Sequence, residues 1–120
     1  DAGALALARL DALAAAAAPQ SVRERNAALD EIAHAARDFL LSRGVADAPG
    51  TATPDLVARI AAVPALAGTG VRVGELLGGV DAARFDPRRQ DAAPGTLAAE
   101  LAAALRPALG GATAAQEARA

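Results

Sequence analysis

Between Ser21-Val22-Arg23-Glu24 and Leu41-Ser42-Arg43-Gly44 the chain carries every signal of one long helix. Ser21 followed three residues later by Glu24 is a capping box, in which the hydroxyl accepts a free backbone N–H and the carboxylate reaches back to the cap residue. Val22, Leu29, Ile32, Ala36, Phe39 and Leu40 then recur at three- and four-residue spacing and lay an apolar stripe along one face. Gly44 supplies a left-handed C-terminal stop. The spacing predicts a helix over 22–42 with Phe39 buried.

On either side the same grammar repeats in weaker form. Leu5, Leu7, Leu10 and Leu13 sit in an alanine run that Pro19 must end, which predicts a first helix over 3–18 with a narrow apolar face. Thr53-Pro54-Asp55 reads as N-cap, first-turn proline and dipole-complementing acid. Leu56, Val57, Ile60 and Val63 follow as the stripe of a helix over 54–63, with Asp55 one turn from Arg59. Residues 64–72 read as irregular. A short helix over 74–85, weakened by Gly78-Gly79, carries Leu76, Leu77, Val80, Ala83 and Phe85, and Asp81 can pair with Arg84 on its outer face. Residues 86–95 read as an exposed connector, and Thr96 as the cap of a last helix over 96–106 that stops at Arg106-Pro107. No segment alternates β-branched residues as a strand would. The expected fold is therefore all-α, a small bundle of four to five helices forming one domain over 1–109, with a frayed tail over 110–120.

Composition sets the character of the core. Of 120 residues 38 are Ala and 15 are Leu, so helix propensity is high while burial per residue is low. The formal charge is −2, with twelve arginines spread along the chain and no Tyr or Trp, which argues against a nucleic-acid surface or a base-stacking platform. Cys, Met and Lys are absent, so no disulfide or thiolate metal site can form. No run reaches the length of a membrane span. A chain that opens Asp1-Ala2-Gly3 reads as a fragment or processed product, and its use of Ala, Arg, Gly and Pro points to a GC-rich bacterial genome.

Candidate chemistry is sparse. Asp30, His34 and Asp38 share one stripe of helix 22–42, but a tetrahedral metal site needs more ligands than the lone His and two acids provide. With Arg37 they read as the solvated face. Gly68-Thr69-Gly70-Val71-Arg72-Val73-Gly74 imitates a phosphate loop, yet its third Gly falls one position late, no strand precedes it and a Walker lysine is missing. These glycines read as turn residues. Ser21 and Ser42 occupy helix ends, which leaves no nucleophile beside His34. No catalytic residue and no cofactor is assigned.

The elements Ala35-Ala36-Arg37-Asp38-Phe39-Leu40-Leu41-Ser42-Arg43-Gly44, Thr53-Pro54-Asp55-Leu56-Val57-Ala58-Arg59-Ile60 and Glu75-Leu76-Leu77-Gly78-Gly79-Val80-Asp81-Ala82-Ala83-Arg84-Phe85 together have a recognisable cadence. It resembles the small helical domains C-terminal to the membrane span in BatD-like proteins and related products of MoxR ATPase and von Willebrand A-domain operons. The resemblance implies the cytoplasmic part of a membrane-anchored protein that acts by contact with operon partners, and it assigns no catalytic residues. The glycine-rich 68–79 region departs from the leucine-rich helix such domains carry there.

These readings predict a non-catalytic protein-interaction or scaffolding module. It would be a soluble, cytoplasmic fragment of a larger bacterial protein that engages a protein partner or a second copy of itself, with no nucleic acid and no membrane insertion of its own. The alternative is a regulatory domain with a small-molecule pocket between helices 22–42 and 54–63. Phe39, Leu40, Ile60 and Phe85 would line that pocket, with Arg72 or Arg84 anchoring a carboxylate at its mouth.

Overall fold

The computed structural model describes residues 1–45, 47–66, 68–85 and 93–119, with 110–119 as backbone alone. Five α-helices and no strand occur among the described residues: α1 Ala2–Ala15, α2 Val22–Ser42, α3 Thr53–Ala61, α4 Gly70–Phe85 and α5 Pro94–Arg119, with 3-10 turns at Ala48–Gly50 and Pro64–Leu66. The fold is a small all-α bundle, and none of these helices is long and apolar enough to cross a membrane. The connector expected at 86–95 falls, up to Ala92, outside the described residues.

Helix α2 has the predicted bounds, and both ends are closed by their own residues. Ser21 Oγ accepts the Glu24 N–H at 3.1 Å, while the Glu24 carboxylate takes the N–H of Gln20 at 2.7 Å, one residue before the cap. At the other end Gly44 adopts φ +100°, the Val45 N–H returns to the Leu40 carbonyl and the Gly44 N–H to that of Leu41. That pair of bonds is a Schellman closure, sealed by burial of Val45. Leu29, Ile32, Ala36, Phe39 and Leu40 are fully buried, but Val22, expected on the same stripe, is exposed because it lies in the first turn, beyond the packed face.

Helices α1 and α5 pack against one another and against α2. Helix α1 starts one residue earlier than expected, because Asp1 Oδ1 accepts the Gly3 N–H as an N-cap. It ends at Ala15 rather than Ala18, since the chain must already be extended at Ala16 to reach Ser21 past Pro19. Gly3, Ala6, Leu7 and Leu10 form its buried stripe, which leaves Leu5 outside. Gly3 is small for a reason: a β-carbon there would lie 2.7 Å from the Arg43 guanidinium, which bonds Asp1 Oδ2 at 2.9 Å and ties the ends of the two helices together.

Three expectations for the C-terminal half fail, and each fails for a packing reason. Helix α4 begins at Gly70, not 74, so Gly70 and Gly74 of the supposed turn glycines lie inside it and Gly68 alone stays in a turn. Gly70 and Gly74 face α3 so closely that added β-carbons would stand 3.2 Å from Ile60 Cγ2 and 2.4 Å from Val57 Cγ2. Helix α5 begins at Pro94 instead of Thr96 and continues through Pro107 to Arg119, although proline removes a helical hydrogen bond. Ala98, Leu101, Ala102, Leu105 and Ala108 are buried on both sides of the proline, and that packing holds the register. Helix α3 is capped at Ala52 without a side-chain bond, because the Thr53 hydroxyl is turned to α4.

Two stability measurements test this packing. Phe39→Ala is expected to cost about 3–5 kcal/mol in urea denaturation, and a cost below about 1 kcal/mol would contradict its burial. Gly74→Ala should destabilise, because overpacking strain of about 1–3 kcal/mol against the stiff Val57 exceeds the roughly 0.5–1 kcal/mol that alanine adds to a helix interior. Gly78→Ala, with open space at its β-carbon, should instead stabilise by that smaller amount.

Candidate functional site

One hollow on the surface of the described residues has only basic side chains among the ionisable ones on its wall. It lies between α2 and the turn that leads into α3, has a volume of about 410 Å³, and is lined by Ala33, His34, Arg37, Gly50, Thr51, Ala52 and Arg84. Helix α2 sets His34 and Arg37 one turn apart along this edge. Arg84 reaches the hollow from the last turn of α4, with its guanidinium 2.6 Å from Asp30 Oδ1 and 3.8 Å from Asp81 Oδ1, the latter being the anticipated i,i+3 pair. Arg37 donates to Thr53 Oγ1 at 2.9 Å, and the Thr53 hydroxyl donates onward to Asp81 Oδ2 at 2.6 Å. A chain of polar contacts thus joins α2, α3 and α4. Its members are half-buried, so the face read as solvated is only partly so, with His34 its most open residue.

The residues singled out in the sequence scatter. Phe39, Leu40 and Ile60 are closed into the core with no exposed surface, so no pocket opens among them. Phe85 points away from that core at 73% exposure, stacked under Arg84 with the guanidinium carbon 4.8 Å from its ring centre. Arg72 is exposed and bridges Glu75 and Glu100, each at 3.7 Å. Arg59 faces Asp47 at 3.7 Å. Of the six residues expected at that pocket only Arg84 lines this hollow. Among the potential metal ligands, Asp30 is held by Arg84, Asp38 bonds Arg9 at 2.8 Å, and His34 Nδ1 is 2.7 Å from the Asp30 carbonyl. The carbonyl can only accept, so that nitrogen carries the proton.

Two further hollows, mostly apolar, lie at opposite ends of α1. The larger, about 460 Å³, is lined by alanines of the α1–α2 connection together with Leu13, Pro19, Ile32 and Pro94. The second, about 340 Å³, lies between the start of α1 and the end of α2, where Ala2, Leu5, Ala6 and Leu41 surround it and Arg9 and Asp38 form its rim. Leu5 and Leu41 are 69% and 48% exposed, and they come from helices that the sequence alone does not bring together. Leu5, expected on the apolar face with Leu7 and Leu10, is turned away from it by the two-residue step to Leu7, and Leu41 follows the buried Leu40. Arg37, also passed over, follows the buried Ala33 by one turn, the boundary position from which a side chain reaches a neighbouring element.

His34→Ala is expected to change stability by less than about 0.5 kcal/mol, as exposed substitutions do; a larger loss in urea denaturation would show that the contact with the Asp30 carbonyl holds α2 together. Compared with protein-family models, with curated proteins and with solved structures, the chain matches none, so the functional reading rests on its own surface.

Proposed function

We propose that the chain is a non-catalytic protein-interaction module whose docking face is the hollow between the start of α1 and the end of α2. The observation that carries this reading is the pair Leu5 and Leu41, two large apolar side chains exposed side by side around one concavity. Single exposed leucines are ordinary; a pair framing a hollow, with an ion pair at its edge, has the apolar centre and polar rim of a protein interface. Burying each would contribute about 1.5–3 kcal/mol, enough for two residues to dominate a modest contact. The polar network elsewhere supports the same view, because its acids are bound to arginines or hydroxyls instead of standing free for proton transfer. In line with the resemblance to MoxR-operon domains, the module would act in the cytoplasm as part of a larger, membrane-anchored bacterial protein and would meet a protein partner or a second copy of itself there.

The test compares the parent chain with Leu5→Ser/Leu41→Ser and with Val71→Ser, which removes an equally exposed apolar residue from α4. Sedimentation and affinity retrieval from the native lysate should show a complex for the parent and Val71→Ser. In the double variant it should weaken by about tenfold or more, the equivalent of 1.4 kcal/mol. An undiminished complex in the double variant, or a parent chain that stays monomeric and retrieves nothing, would overturn the proposal.

A further inference from the structure

Among the described residues, the hollow between α2 and the start of α3 has a wall on which every ionisable side chain is basic: Arg37, Arg84 and His34 line it. The acids nearby are turned to other partners: Asp30 to Arg84, Asp81 to the Thr53 hydroxyl and to Arg84, and Asp38 to Arg9 on α1. Arg84 is therefore largely neutralised. Arg37 is not, since among the described residues its one bond goes to the uncharged Thr53 hydroxyl at 2.9 Å. A guanidinium has five N–H donors in a planar fork, so four remain to Arg37. The side chain is half-buried, where its charge is less well solvated than on an open helix face.

Two further features suit the same occupant. Ala52, the cap residue of α3, lies on this wall and offers no side-chain acceptor to the first turn of that helix. The positive end of a helix nine residues long begins there, offset in part by Asp55 in its first turn. Ala33 and Gly50 supply small surfaces, which leaves the volume of about 410 Å³ open between the two arginines. That is within the range of small-molecule sites.

We infer that this hollow binds a small oxyanion, a carboxylate or a phosphate, with the Arg37 guanidinium as its main anchor and Arg84 as a second contact. The inference is independent of the docking face proposed above, which lies on α1 and the end of α2. A carboxylate and a phosphate share the planar pair of acceptor oxygens that an arginine fork takes up bidentately, so the recognition chemistry is common to both.

The experiment titrates the isotopically labelled chain with inorganic phosphate and, separately, with acetate, at constant ionic strength so that screening does not imitate binding. Saturable shifts centred on the amides of Thr51 and Ala52 and on the Arg37 Nε–H are expected with at least one probe. Phosphate alone would identify a phosphorylated ligand, acetate alone a carboxylate. Arg37→Gln should weaken binding by about tenfold or more, Arg37→Lys by less because charge remains while the fork is lost, and Arg72→Gln should leave it unchanged. Should Arg37→Gln fail to fold, the ordering of the parent, Arg37→Lys and Arg72→Gln decides the matter. No saturation with either probe, or equal binding by the Arg37 variants, would overturn the inference.

Discussion

The burial of Leu29, Ile32, Ala36, Phe39 and Leu40 along one face of α2 is the contact to which every other part of the described fold refers. Helices α1, α4 and α5 and the turn at Ala48–Gly50 all pack against this helix. Phe39 is the largest fully buried side chain, in a molecule with only two aromatics. Because apolar burial scales with area, an alanine-rich chain must concentrate its driving force in the few large residues it has. The caps at Ser21 and Gly44 fix the ends of α2, so the stripe has one length and one direction to offer its neighbours.

A core with so much alanine also constrains how the helices meet. Small side chains bury little unless the elements come close, and four of the glycines lie at such close approaches. Gly3 makes room for Arg43, Gly70 and Gly74 let α4 rest on α3, and a β-carbon on Gly95 would stand 3.3 Å from the Ala14 carbonyl of α1. Close seams in some places leave shallow concavities in others, because alanine cannot fill the space where helices diverge. The two apolar hollows beside α1 are of this kind. Leu5 and Leu41 project around one of them in place of completing the core.

Polar contacts add direction more than strength. Exposed pairs such as Arg106 with Asp11 and Arg9 with Asp38 bridge neighbouring helices, yet each contributes little on a solvated surface. The half-buried sequence Arg37, Thr53, Asp81, Arg84 and Asp30 differs in that it links three helices through shared partners, and Arg25 adds a bond to the Ala83 carbonyl near the end of α4. By occupying the acids, this network leaves Arg37 without a carboxylate partner among the described residues at the edge of its hollow.

The sequence by itself determined the helical class, the bounds of α2 and the burial of Phe39, because caps and a stripe at helical spacing are local signals that need no partner. It also set the Asp81 and Arg84 pair, one turn apart on a single helix. It did not determine the start of α4 or the run of α5 through Pro107. Gly70, Gly74 and Pro107 are unfavourable to an isolated helix, and only contact with Ile60 and Val57, or burial of Ala108, outweighs that preference. The grouping of Leu5 with Leu41, and of Arg37 with Arg84, joins residues 36 and 47 positions apart. Such neighbours are chosen by which helix faces close against which, and that choice is made only when the buried stripes pack together.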